Sequence, residues 1–436
     1  MAVPPPSTSD QPPNSPNQPP QPAPSPTRFG GLIEFLGLRR SIVGLLSMVI
    51  LVGMGEHMAE QYLPLYLLAL GGGFISVGFL NGMDNLLGAL YSFPGGYLSD
   101  RLGTKRALLV FNLVSMVGFL MVIFGPKHWL VVIVAAALFL SWTAISLPAT
   151  MSLVARVLPK NKRTMGVSVH SLVRRVPMAL GPLAGGLCID TWGLDKGIRL
   201  AFTGALAMAI LAAILQQVLI ENDPPKKSSD PVAEHNPLRL WKHMNGDLRN
   251  LLVSDILVRF CEQIPYAFVV IWAVGTKEHP SEAGVTGVQF GLLRTIEMAT
   301  AILIYVPVAY LADRGTKKPF VVMTFVFFTL FPLVLLFSKS FWMLAAAFVL
   351  RGLKEFGEPT RKALIMDLAP EDRKAGVFGL YYLIRDVIVS AAAFGGAFLW
   401  QHSPGLNLLT AFAFGALGTI WFALRGRDLG RQVSKA

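Results

Sequence analysis

The sequence predicts an all-α polytopic membrane protein: about twelve transmembrane helices in two parallel six-helix halves. Three observations predict it. Apolar runs of ~18 or more residues, each about long enough to cross a bilayer core, recur from Ser41 to Leu424. The chain is 53% apolar and only 15% charged, with a mean hydropathy of +0.54, which argues against a set of soluble domains. Long stretches of the first half also return in the second.

The expected spans are 41–69, 75–99, 104–125, 129–158, 165–189, 198–220, 250–275, 285–312, 318–338, 341–368, 376–400 and 405–424. They divide the chain into a Pro-rich tail with a short lead-in (1–40), a first half (41–220), a linker (221–249), a second half (250–424) and a short tail (425–436). Residues 1–27 are rich in Pro, Ser and Gln with no apolar run, the composition of a solvated disordered tail rather than a signal peptide.

The net charge of +12 invites a nucleic-acid reading, but its placement excludes one. With the N-terminus inside, about 26 of the 38 Lys and Arg fall in tails and cytoplasmic loops, as the positive-inside rule requires. Only Lys127, Lys196, Arg199, Lys277 and Lys339 fall in the opposite loops. Both termini are therefore expected in the cytoplasm. Cys188 and Cys261 both lie in expected helices, so neither a disulfide nor a metal site is expected. No phosphate loop, metal spacing or nucleophile motif is present, so no enzyme and no cofactor is expected.

The repeat aligns VGFLNGMDNLLGALYSFPGGYLSD (77–100) with FGLLRTIEMATAILIYVPVAYLAD (290–313). Gly78, Asp84, Pro94, Tyr97 and Asp100 match Gly291, Glu297, Pro307, Tyr310 and Asp313, each 213 positions later. Further on, Pro148 and Pro159 match Pro359 and Pro370, Arg175 matches Arg385, and Gly185–Gly186 match Gly395–Gly396. More weakly, EQYLP (60–64) echoes EQIP (262–265). Six helices being even, both halves share one orientation. Parallel halves of this kind form a secondary-transporter architecture with its site near the midplane between them.

After the second span comes GYLSDRLGTKR, with Gly96, Asp100, Arg101, Gly103, Lys105 and Arg106. It resembles the signature loop of the major facilitator superfamily, G-x-L-x-D-R-x-G-x-K-R. AYLADRGTKK (309–318), with Asp313 and Arg314, is its degenerate copy. The resemblance covers Ser41 to Arg427 and implies a transporter working by alternating access, with this loop as a cytoplasmic gate. It also implies that spans 1, 4, 7 and 10 line the cavity while 3, 6, 9 and 12 lie outside. GPLAGG, with Gly181, Pro182, Gly185 and Gly186, is similar to the antiporter signature of the superfamily and is also a helix-packing motif. Two departures weaken a drug–proton antiporter: Pro177 stands where a Gly is usual, and FLSWTAISLPATM lacks the usual Arg of the fourth span.

Ionisable groups inside a span are costly and normally face a cavity or a partner. Here they are Glu56, His57, Glu60, Asp84, His170, Arg174, Arg175, Arg259, Glu262, Arg294, Glu297, the stretch RGLKEFGEPTRK (351–362), Arg385 and Asp386. Spans 3, 6, 9 and 12 carry none in their middles. The pairs Arg259–Glu262, Arg294–Glu297, Arg351–Glu355 and Lys354–Glu358 have the spacing to neutralise one another within a helix. Glu56, Glu60 and Asp84 have no such cation, His57 lying on another face. Burial without a cation penalises the charged form, the property a proton-exchanging carboxyl needs. Proton coupling is therefore assigned to Glu56, Glu60 and Asp84, with Glu262 and Glu297 as further candidates.

Arg175 and Arg385 fall at matching depths, ~17 Å into their helices, and flank one central site. With Arg259, Arg351, Lys354, Glu355 and Glu358 they form the expected substrate surface, suited to an anionic or zwitterionic solute. On a continuous helix the charges of 351–362 fall within an arc of ~120°, so this segment is expected as the cavity face of the tenth span, kinked near Pro359. Arg361 and Lys362 would then snorkel to the cytoplasm. The resulting expectation is a monomeric, proton-coupled secondary transporter of a small solute in a bacterial inner membrane. The alternatives are a multidrug–proton antiporter and, from another class, a non-transporting sensor or lipid flippase on the same fold. Asp100→Asn should impair transport while leaving membrane insertion intact; full transport by that variant would remove the gate role.

Overall fold

The computed structural model describes residues 40–140, 163–221, 241–242, 244–312, 316–370 and 374–427. Fifteen α-helices and one 3₁₀ turn make up these residues, with no strand among them. The first half contains α1 (Arg40–Glu60), α2 (Leu63–Ala69), α3 (Gly73–Leu102), α4 (Thr104–Phe124), α5 (Trp129–Phe139), α6 (Arg163–Trp192) and α7 (Leu194–Leu219). The second contains α8 (Gly246–Gln263), the turn Tyr266–Phe268, α9 (Val269–Val274), α10 (Gly287–Ala312), α11 (Lys318–Phe337), α12 (Phe341–Leu353), α13 (Glu358–Leu368), α14 (Lys374–His402) and α15 (Pro404–Arg425). Nine stretches among the described residues are long and apolar enough to cross a membrane. The fourth expected span is described only as far as Leu140.

Three expected spans are broken rather than continuous, and Pro explains each break. In the first, α1 stops at Glu60 and Pro64 occupies the opening turn of α2. In the seventh, Pro265 follows α8 and starts the 3₁₀ turn. The tenth, expected as one helix over 341–368, parts at Lys354–Gly357, and Pro359 sits in the first turn of α13. Pro lacks a donor and fits best in the first turn of a helix. The echo EQYLP/EQIP thus marks matching breaks in the two halves, each leaving a Glu near the end of its helix. Elsewhere side chains start the helices: Asn245 accepts from Leu248 N at 2.7 Å, and Ser340 and Ser403 cap α12 and α15. Gly103, at φ 80°, makes the tight reversal between α3 and α4.

Within the first half α1 packs on α6 and α7; within the second, α8 packs on α14 and α15. The halves meet chiefly through two pairs, α6 with α10 and α3 with α14. These contacts crowd toward the end of the bundle opposite the termini, here termed the far end. There Gly186 lies against the carbonyl of Gly287, Gly291 against the backbone of Leu183, and Gly78 and Gly82 against Ala397 and Phe394. Small residues let backbones approach this closely. Toward the terminal end of the same two pairs, Gly88 and Gly379 face open space. Among the described residues, the closest backbone approaches between the halves lie at the far end. Large apolar side chains such as Phe124, Leu303 and Leu424 cover the outer surface, as a lipid-facing wall requires.

Gly186→Leu would force this seam apart. Membrane yield should persist while Asn81→Cys at the far end reacts faster with an impermeant maleimide. A shift of ~1.4 kcal/mol would appear as roughly tenfold in rate; an unchanged rate would mean that the seam does not hold the closure.

Candidate site between the two halves

The breaks in spans one and seven bring polar side chains to the centre. A cavity lies between the halves, lined by Glu60, Gln61, Asn81 and Asp84 from the first and Tyr266 and Arg351 from the second. Its apolar lining includes Leu80 and Phe290. Glu60 sits at the end of α1 with His57 Nδ1 2.8 Å from its Oε2. The sequence reading had placed His57 on another face, but residues three apart meet on a helix. Asp84 forms no ion pair or hydrogen bond among the described residues. Glu56 is buried, at 6% exposure.

The second half holds a chain of buried ion pairs. Arg259 reaches Glu262 at 2.6 Å and Glu358 at 3.4 Å. Lys354 reaches Glu262 at 2.8 Å and Glu297 at 3.5 Å. Glu297 also takes Arg294 at 2.5 Å and Arg351 at 3.4 Å. Toward the terminal end, Asp255 receives Arg361, Tyr381 Oη at 3.1 Å and Arg385 at 3.5 Å. Arg361 also grips Glu358 at 2.7 Å, and Arg385 takes Asp386 at 2.7 Å. Each of these cations faces at least one carboxylate. A guanidinium in a low-dielectric interior is stable only on such terms.

Two of the four expected in-helix pairs form, Arg259–Glu262 and Arg294–Glu297. The other two do not, because the break at Lys354–Gly357 destroys the helical register they need. Arg351 turns to Glu297 and Lys354 to Glu262, while Glu355 crosses to the first half and meets Arg175 at 2.9 Å. The break is held by Gly357 N, which donates to Thr324 Oγ1 at 2.6 Å. Arg361 does not snorkel: it is 1% exposed, because Asp255 offers a buried partner. Lys362 does, its side chain half exposed and 3.4 Å from Glu358. Arg175 and Arg385 reach different partners, Glu355 and the Asp255–Asp386 group.

At the far end polar contacts close the seam. Asn81 Nδ2 donates to the Gln263 carbonyl at 3.0 Å and Asn85 Nδ2 to Gln263 Oε1 at 3.2 Å. Tyr62 Oη lies 2.7 Å from Pro182 O and 2.8 Å from Gly287 O. Asp190 accepts from Gly287 N and Val288 N, both at 2.8 Å, at the positive start of α10. The expected packing motif is placed here: Gly181 lies against His57, and Gly185 against the carbonyl of Met58.

The sequence reading missed Asp255, Asp190, Tyr62, Tyr266 and Tyr381. Asp255 carried a signal, standing four residues before Arg259 on one face of α8. The others pair across elements distant in sequence. Of the gate loop, Gly96 and Arg101 lie in α3, Lys105 donates to Gln217 O at 2.7 Å, and Arg106 lies in α4. The side chain of Asp100, and Asp313 and Arg314, lie outside the described residues. Cys188 and Cys261 are free thiols.

Asp255→Ala would leave Arg361 and Arg385 without their shared carboxylate. Breaking a buried pair costs about 3–5 kcal/mol, so thermal unfolding in detergent should fall sharply. Removing the charges together, in Asp255→Leu with Arg361→Met, should recover much of the loss. A double variant as unstable as the single would show that the pairing is not what stabilises these groups.

With this geometry in view, comparisons place the chain. The sequence model of the Major Facilitator Superfamily matches residues 42–277 and 251–436. An uncharacterized MFS-type transporter of Methanocaldococcus jannaschii is 22% identical over 361 residues, 82% of this chain and 87% of that one. The quinolone resistance protein NorA of Staphylococcus aureus is 27% identical over 206 residues, 47% of this chain and about half of its own length (51%). Among solved structures, the peptide transporter POT in complex with sulfate superposes with a TM-score of 0.70 at 15% identity, covering 88% of this chain and 93% of that one. The nucleoside transporter NupG gives 0.76 at 11% identity, covering 89% and 100%. A helical bundle of two repeated halves, matched along nearly its whole membrane region, makes this chain a member of the Major Facilitator Superfamily, a membrane-embedded transporter.

Proposed function

We propose that this transporter moves a small organic solute bearing a basic amino group, zwitterionic or cationic, in exchange for protons. The observation that carries the reading is the composition of the central cavity. Its first-half wall presents two carboxylates, Glu60 and Asp84, with Gln61 and Asn81 beside them. Its opposite wall presents Tyr266 and Arg351. An ammonium group fits the acidic wall, and a carboxylate or other acceptor fits the far wall. A purely anionic solute draws less support, because Arg259, Arg351, Lys354 and Arg385 are already held by carboxylates.

The same wall supplies the coupling. A proton and an ammonium compete for Asp84 or Glu60, so loading one releases the other, which is exchange. Glu262 and Glu297, clasped by cations, are the weaker candidates, and Glu56 is buried outside the cavity lining. The match to a quinolone resistance protein supports an organic compound as the solute. The basic tails and loops favour both termini in the cytoplasm; on that orientation the close far-end seam faces outward, which supports reading this conformation as inward-facing. Relatives in a bacterium and an archaeon support a cell-membrane location. One chain supplies both walls, which supports a monomer as the transporting unit. In this reading Asp100 and the loop through Arg106 close the terminal end when the far end opens.

The test is transport into proteoliposomes under an imposed pH gradient, after a thermal-shift screen of amines and amino acids has named a solute. Asp84→Asn and Glu60→Gln should each lower gradient-driven transport by roughly tenfold or more, equivalent to ~1.4 kcal/mol, while solute exchange without a gradient falls less in at least one of them. Retention of full proton dependence by both variants and by their combination would refute the coupling assignment.

A further inference from the structure

At the far end, outside the central cavity, lies a second and roomier cavity. Its walls are Phe74, Trp272 and Trp400, with His279, Ser281 and Glu282 at the rim. Phe74 belongs to the first half; the others belong to the second. The aromatic wall is built rather than incidental. Trp400 stacks on Phe268 at 4.9 Å and meets Trp272 edge-on at 6.2 Å. Phe74 packs edge-on against Phe268 at 6.4 Å and lies 5.0 Å from the His279 ring.

Trp at a membrane boundary usually serves as an interfacial anchor. Trp192 and Trp342 fit that role, at 55% and 79% exposure. Trp400 does not, because it is 4% exposed. Neither the Trp272 nor the Trp400 indole N–H donates to a protein acceptor among the described residues, and neither nitrogen is a fully buried atom left unsatisfied, so both stay open to a ligand's acceptor. The rim is equally deliberate. Residues 275–286 fold back on α9: Ser281 Oγ donates to Trp272 O at 2.5 Å, Val285 N donates to Ala273 O at 3.1 Å, and Gly275 turns at φ 77°. This places Glu282 at the mouth, 2.9 Å from Lys339.

We infer that this vestibule is a second binding site, for a zwitterionic aromatic solute. The ring lies against Trp272 and Trp400, its acceptor oxygens take indole N–H groups, and its ammonium and carboxylate meet Glu282 and Lys339 at the rim. The identification with transported solute rests on the proposed function; the binding itself does not. The site belongs to the closed far end. Phe74 and Phe268 come from opposite halves, so parting the halves dismantles the wall and frees the ligand to the central cavity or to the outside.

The probe is para-nitrophenylalanine, a zwitterionic aromatic amino acid whose nitro group quenches indole fluorescence on contact. Titrated into the purified full-length protein, it should give saturable quenching. Trp272→Phe and Trp400→Phe should each remove a large part of the amplitude. Glu282→Gln, which leaves the aromatic wall and fold intact, should keep the amplitude but weaken binding by roughly fivefold. Asp84→Asn should leave the quenching unchanged, which separates this site from the central one. Absence of saturable quenching in the parent protein, amplitude retained in both Trp variants, or loss in Asp84→Asn would overturn the proposal.

Discussion

The structure depends above all on one constraint: charges placed in a membrane interior must be neutralised there. Asp255 is the pivot. It is fully buried and gathers Arg361, Arg385 and Tyr381 from α13 and α14 onto α8. From Arg361 the chain passes through Glu358 and Arg259 to Glu262, and then through Lys354 to Glu297. Desolvating this many ions is expensive, and only mutual pairing with good geometry offsets the cost. The chain thereby ties α8, α10, α12, α13 and α14 into one unit. The break at Lys354–Gly357, set by Pro359, makes this chain possible, since it lets Lys354 and Glu355 leave the helical register and reach separate partners.

The first half follows a different rule. Its cavity-facing carboxylates are few, and Asp84 has no partner among the described residues. Among the described residues, one half thus holds a network of mutually paired charges, and the other holds a cavity carboxylate without an ion pair. Arg175–Glu355 joins the two at mid-depth, and the glycine seam with the Asn–Gln and Asp190 contacts joins them at the far end. In the proposed transport cycle these inter-half contacts are the ones that a rocking of the halves would exchange.

The architecture was legible in the sequence because it is written in local patterns. Apolar run length, the repeat and the loop glycine at 103 each act over a few residues or at a constant offset. Even the weak echo of EQYLP in EQIP corresponds to matching breaks. The site was legible only in part. Which residues carry charge was plain, but which pairs form was not, since pairing depends on whether a helix stays continuous. Arg351–Glu355 and Lys354–Glu358 are good pairs on an intact helix and absent ones on a broken helix. Arg361 lay near an expected membrane boundary, and nothing in its own segment indicated that Asp255, over a hundred residues earlier, would draw it inside. The Tyr62, Asp190 and Gln263 contacts are of the same kind: single polar groups that find partners only once the halves are packed.

The central claim is that the solute's amino group and a proton contend for the same first-half carboxylates. It is tested most directly by measuring protons released when a named solute binds to purified protein in weakly buffered detergent solution with a pH indicator. The account predicts release that saturates with binding and approaches one proton per solute near neutral pH. Saturable binding with no proton released across the pH range of transport would contradict it.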